Sequence, residues 1–130
     1  MNPRLLASLV AAAFAIALPV AAGATVYTIN VPVQLTKVAA PTGTFFAVAC
    51  FLWSSKTPSQ GTQVMQGQAD TPKLDATGAL SGTVSVSLTS TQPAGSYSCV
   101  LGVGVLPGGG TIQPSTLFPS ATPLAVNGTF

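Results

Sequence analysis

The chain has 130 residues, of which 48% are hydrophobic and only 5% are charged, and its formal net charge is +2. The apolar content predicts one packed domain, and the low charge excludes the basic surface that nucleic-acid binding needs. The sequence contains no histidine, which removes the commonest general base and metal ligand together with every serine–histidine or cysteine–histidine pair.

Residues 1–24 are typical of a secretory signal peptide. Arg4 gives a positive start, an apolar run extends from Leu5 to Leu18, and the small-residue motif Ala22-Gly23-Ala24 follows. We therefore expect an N-terminal signal helix that is cleaved after Ala24. The alternative is an uncleaved membrane anchor, although the run is shorter than the roughly 20 residues that a spanning helix needs.

Cleavage would leave residues 25–130 as a single domain in an oxidising space. We expect this mature protein to be secreted, periplasmic or on the cell surface, with no membrane segment of its own. No cofactor or metal is expected.

In the mature chain apolar and polar residues alternate as in β-strands, and no segment shows the apolar spacing of a helix. The predicted strands are residues 25–36, 44–53, 62–69, 82–89, 96–106 and 124–130. Short strands separated by Gly and Pro predict an all-β antiparallel sandwich. Pro32 cannot donate a ladder hydrogen bond, so its strand is expected at a sheet edge or beside a bulge.

Two cysteines, Cys50 and Cys99, lie one in each of the two most apolar strands. An even pair in an exported protein predicts one disulfide, and two separate buried thiols are the alternative. Closing a loop of about 50 residues gives roughly 4 kcal/mol of stabilisation by the chain-entropy model.

The segment around Cys99 resembles strand F of the immunoglobulin-like β-sandwich, because Tyr97 lies two residues before the cysteine as a tyrosine-corner residue does. The strand that carries Cys50 is similar to strand B, and Val84 to Leu88 takes the place of strand E. This fold-level resemblance covers residues 45–105. It implies a small immunoglobulin-like domain with an inter-sheet Cys50–Cys99 bridge, and it implies no particular function.

The only two carboxylate side chains, Asp70 and Asp75, lie in one polar segment with a lysine between them. Such a segment is typical of a solvated loop, and the pair is a poor start for a calcium site. We therefore expect no enzymatic activity.

The strand of residues 44–53 is the predicted location of function. If Cys50 and its alternating neighbours face the core, then Phe45, Phe51 and Trp53 face outward as a candidate interaction surface. The hypothesis is an exported, non-catalytic binding or surface module whose partner is a protein, a glycan or a second copy. Coverage of these aromatic residues by the chain's own segment 113–123 is an open alternative. A second alternative is a structural pilin-like subunit that donates the strand Tyr27–Leu35.

Overall fold

All regular structure in the described part of the chain is β-strand. The computed structural model describes residues 7–9, 13–21, 23–113 and 125–130. The strands are β1 Ala7–Leu9, β2 Phe14–Ala21, β3 Ala24–Leu35, β4 Phe45–Trp53, β5 Gln63–Asp70, β6 Leu80–Ser90, β7 Ser96–Val105, β8 Thr111–Ile112 and β9 Ala125–Thr129. The six strands predicted after the leader are confirmed to within two residues at each end, and β8 is additional.

The strands form two antiparallel sheets that pack together. In sheet A, β3 lies between β6 on one side and the end-to-end strands β1 and β2 on the other. In sheet B the order is β5, β4, β7, and both β8 and β9 pair with the far edge of β7. The predicted all-β class is confirmed, and the arrangement is compatible with a β-sandwich.

The core lies between the two sheets and follows from the alternation in the sequence. From Tyr27 onward every second side chain of β3 is buried, and β6 buries Val84, Val86 and Leu88 while its hydroxyl side chains from Ser81 to Thr89 stay exposed. From sheet B the inward side chains are Phe46, Val48, Cys50, Leu52, Tyr97, Cys99, Leu101 and Val126. Burial of each large aliphatic side chain contributes about 1.5–3 kcal/mol, so these residues dominate the stability of the fold.

The disulfide is confirmed, but the predicted inter-sheet position is wrong. Cys50 and Cys99 are bonded, and they lie directly opposite each other on β4 and β7, which are neighbours in sheet B. Their Cα atoms are 4.1 Å apart, close to the ~4.5 Å of a non-hydrogen-bonded antiparallel pair. The apolar alternation placed both cysteines on the core side correctly, but it cannot tell a neighbouring strand from a facing one.

The tyrosine-corner prediction for Tyr97 is also wrong. Its hydroxyl donates to the carbonyl oxygen of Ala13, 3.3 Å away on the leader, and not to backbone shortly upstream of Tyr97. The residue that ties down the loop before β7 is Tyr27, whose hydroxyl accepts a hydrogen bond from the Ala94 amide at 3.0 Å. The spacing between Tyr97 and Cys99 correctly predicts a strand, but it does not predict which atom the Tyr97 hydroxyl bonds.

The leader is described in part. Residues 7–9 and 14–21 lie as strands beside β3, while residues 1–6, 10–12 and 22 are outside the described residues. The predicted signal helix and the cleavage after Ala24 therefore stay predictions. With the leader in place β3 is flanked on both sides, and Pro32 is not among the β3 residues that pair with β1 or β2.

Candidate binding surface

The three predicted aromatic residues lie on the outer side of β4, with Phe51 and Trp53 at successive outward positions and Phe45 at the start of the strand. Along this strand burial alternates strictly, and the inward residues from Phe46 to Leu52 are fully buried. Phe45, Phe51 and Trp53 occupy the opposite side and are half-buried. Because successive side chains of a strand point to opposite faces, burial of Phe46 to Leu52 at alternate positions also places these three aromatic residues on the outer side.

A row of amide side chains runs beside the aromatic residues. The register of β4 with β5 places Gln68 opposite Ala49, Gln66 opposite Phe51 and Gln63 opposite Trp53. The Gln63 side-chain amide donates to the Gln66 side-chain oxygen at 3.2 Å. We call Phe45, Phe51, Trp53 and the three glutamines the aromatic face. Sequence reasoning missed the glutamines because β5 was predicted only as a weak strand, although their near-alternation was a usable signal.

On its other side the aromatic face is bounded by small polar residues of β7. Ser98 lies directly opposite Phe51, and Ser96 lies opposite Trp53. The Trp53 indole Nε1 donates a hydrogen bond to Ser98 Oγ at 2.9 Å, so the indole reaches diagonally across the strand pair. This bond satisfies the indole donor and holds the ring over the sheet, where a partner can contact it without first ordering the side chain.

The disulfide lies on the inner side of the same two strands. Cys50 directly precedes Phe51, and Cys99 directly follows Ser98, so the covalent bond links the strand of the aromatic residues to the strand of their hydrogen-bond acceptor. Both cysteines are fully buried. The disulfide on the inner side of the sheet therefore restrains the position of Trp53 relative to Ser98.

The two carboxylates are used differently. Asp70 ends β5 opposite Ala47, in line with the glutamines and within the length of β4 between Phe45 and Phe51. Asp75 Oδ1 accepts hydrogen bonds from the Thr77 hydroxyl at 2.6 Å, the Thr77 amide at 2.8 Å and the Ala79 amide at 3.0 Å. These bonds, that of the hydroxyl first, hold the pKa of the Asp75 carboxyl below its usual value. Asp75 thus organises the turn before β6.

Within the described residues, no group of three or more His, Cys, Asp and Glu side chains could hold a metal ion. In the same part of the chain no helix is long and apolar enough to cross a membrane. Segment 113–123, the predicted alternative cover of the aromatic residues, lies outside the described residues from residue 114 onward.

No protein-family model, curated protein or solved structure matches this chain. The aromatic face must therefore be interpreted from its own chemistry. It combines ring surfaces with amide and hydroxyl groups that both donate and accept hydrogen bonds, and Asp70, opposite Ala47, is the one charged residue that the strand register places among them.

Proposed function

We propose that this protein is an exported, non-catalytic binding module that recognises an uncharged partner, a glycan or a peptide, through the aromatic face. The observation that carries the proposal is the side-by-side placement of Phe51 and Trp53 with a row of glutamines on the outer side of sheet B. Half-buried aromatic residues supply contact area at a low cost in side-chain entropy, and amides supply adaptable hydrogen bonds.

Export and cleavage of the leader are part of the proposal. A disulfide is typical of oxidising, extracellular compartments. The leader strand supports removal in a second way, because it turns large apolar side chains outward: Phe14, Ile16 and Leu18 are 62%, 47% and 57% exposed. No described residue before Tyr27 belongs to the buried core, so the domain keeps its core when the leader is lost.

We further propose an immunoglobulin-like sandwich, in a different register from the one the sequence indicated. In that fold strands B and E share one sheet, and strands C, F and G share the other. Pairing of β3 with β6, and of β4 with β7 and then β9, agrees with that order if β3 is strand B. Cys50 then lies on strand C, one strand later than predicted.

Donation of the N-terminal strand, the pilin-like alternative, is less well supported. β3 pairs with β6 over eleven consecutive residues, Thr25 to Leu35, and its inward side chains are core residues of its own chain. Donating β3 to another molecule would remove its inward side chains from the core of its own chain.

The test compares variants of the exported protein on two faces. We expect immobilised neutral polysaccharides and uncharged peptides to retain the unmodified protein, and Trp53→Ala to weaken retention about 30-fold, the effect of roughly 2 kcal/mol at a binding hot spot. Thr83→Ala, on the exposed side of β6, is the matched control and should bind normally. Equal binding by both variants would refute the assignment of function to the aromatic face.

A further inference from the structure

The leader lies along an edge of β3 that the cleaved protein leaves open. β2 pairs with β3 from Phe14 opposite Asn30 to Ala21 opposite Ala24, and β1 pairs with residues 33–35 of β3. Cleavage after Ala24 removes both strands. The backbone N–H and C=O groups on this side of β3 then lose their partners, and an unpaired edge is a template for another strand.

The strand that occupies this edge fills it with small side chains. Ala13 and Ala15 turn inward and pack against the core, whereas the alternate residues Phe14 and Ile16 turn outward into solvent. The Ala13 carbonyl also accepts the hydrogen bond of the buried Tyr97 hydroxyl. We therefore expect a strand that binds this edge to need a free backbone for hydrogen bonding and small residues at its inward positions. Its outward positions can carry any side chain.

An aromatic cluster lies beside the edge, and cleavage removes the hydrogen-bond acceptor of one of its members. The Phe130 ring is 4.7 Å from that of Tyr27 and 5.4 Å from that of Tyr97, between ring centroids. With the leader in place Tyr97 is only 3% exposed. Loss of the leader removes the Ala13 acceptor of its hydroxyl and uncovers that side of the ring, and an added strand with a carbonyl at the same position can restore the bond.

The shape of the site favours a single extended segment over a second copy of β3. β2 contacts β9 as well as β3, so sheet B extends beneath the position that the added strand takes. If two copies joined edge to edge through β3, the β9 strand of each would enter the layer that β4 and β7 of the other already fill. A strand that is not part of a sandwich meets no such obstacle.

We propose that the exported protein accepts one antiparallel strand from another protein chain along Thr25–Asn30, with Ala, Gly or Ser at the position of Ala15 and at the position of Ala13 just before the paired residues. Recognition is by strand addition, in which main-chain hydrogen bonds give affinity and alternate side chains give specificity. The inference rests on the leader cleavage contained in the proposed function.

The experiment uses the product that a bacterial host exports from the full-length gene, with its N-terminus determined by mass spectrometry. The probe is a peptide of residues 13–21 in which two outward positions are made polar, Ile16→Thr and Leu18→Lys. We expect it to bind, to raise the melting temperature and to slow hydrogen exchange at the β3 amides. The matched control peptide, which adds Ala15→Trp, should bind at least about ten-fold more weakly because the inward position has no room. Tyr97→Phe in the protein should weaken probe binding about five-fold, the effect of one neutral hydrogen bond.

The possible failures can be told apart. An N-terminus at Thr25 with no probe binding, or with equal binding of the Ala15→Trp control, overturns the strand-acceptor site and leaves the proposed export intact. An N-terminus that retains the leader overturns both, since β3 then stays covered. A dimer whose β3 amides are protected without peptide overturns the choice of a separate strand over a second copy.

Discussion

At the residue scale, two polar contacts with different roles can be separated. The Trp53–Ser98 hydrogen bond orients a ring on the aromatic face, and its donor is half-buried. The Asp75 carboxylate instead accepts three hydrogen bonds from the next four residues and stabilises a turn. The first contact serves a surface, and the second serves the fold.

Asp75 predicts a specific dependence of stability on pH. Its folded-state pKa lies below the unfolded value of about 3.8, so its contribution is fully present above that value and is lost as the pH falls through the lower, folded pKa. We expect the melting temperature of the protein to fall in this acidic range. Asp75→Asn keeps an acceptor oxygen but does not ionise, so that part of the acid dependence should disappear. If the melting temperatures of the unmodified protein and the Asp75→Asn variant fell equally with decreasing pH, this role of Asp75 would be contradicted.

At the scale of elements, β4 and β7 form the rigid unit of the molecule. They are hydrogen-bonded neighbours, they carry the disulfide on the inner side, and they carry Trp53 and Ser98 on the outer side. Gly128 of β9 belongs to the same arrangement, because a Cβ there would clash with the Tyr97 ring that covers it. The surface is therefore supported by elements with little freedom to shift.

Loss of the disulfide should weaken this unit strongly. Cys50→Ala opens a covalent loop with a sequence separation of 49 residues, and the chain-entropy model predicts a loss of about 4 kcal/mol in the free energy of unfolding. Urea unfolding of the exported protein measures the change. Lys56→Ala, at an exposed residue three positions after β4, is the control for substitution near the strand. A loss below about 1 kcal/mol in the free energy of unfolding would contradict the prediction that the disulfide stabilises the fold by restricting the unfolded chain.

Strand positions and the inward or outward side of each residue could be predicted from the sequence because both follow from local alternation. Phe45, Phe51 and Trp53 were placed on the outer side for this reason. Which strands are neighbours depends on long-range pairing, which alternation does not encode, so Cys50 was expected opposite Cys99 across the core when in fact both are in one sheet. The glutamines of β5 joined the site only once that pairing was known.

At the scale of the whole molecule, the outer surfaces of the two sheets differ in character. On sheet A the exposed residues of β6 are small hydroxyls, among them Ser85, which donates to Asn30 of β3, and Ser87, which hydrogen-bonds Thr28. On sheet B the exposed side carries the aromatic rings and the glutamines. This difference supports the proposal that binding takes place on sheet B, and it makes the side chains of β6 suitable controls.

The chain contains a single tryptophan, Trp53, so tryptophan fluorescence reports on the aromatic face alone. The most direct measurement is acrylamide quenching of this fluorescence in the exported protein, alone and with a retained polysaccharide or peptide. We predict that free Trp53 is quenched more than a buried indole and that the bound partner shields it. Shielding already present in the free protein, or quenching unchanged by the partner, would contradict the aromatic face as the binding surface.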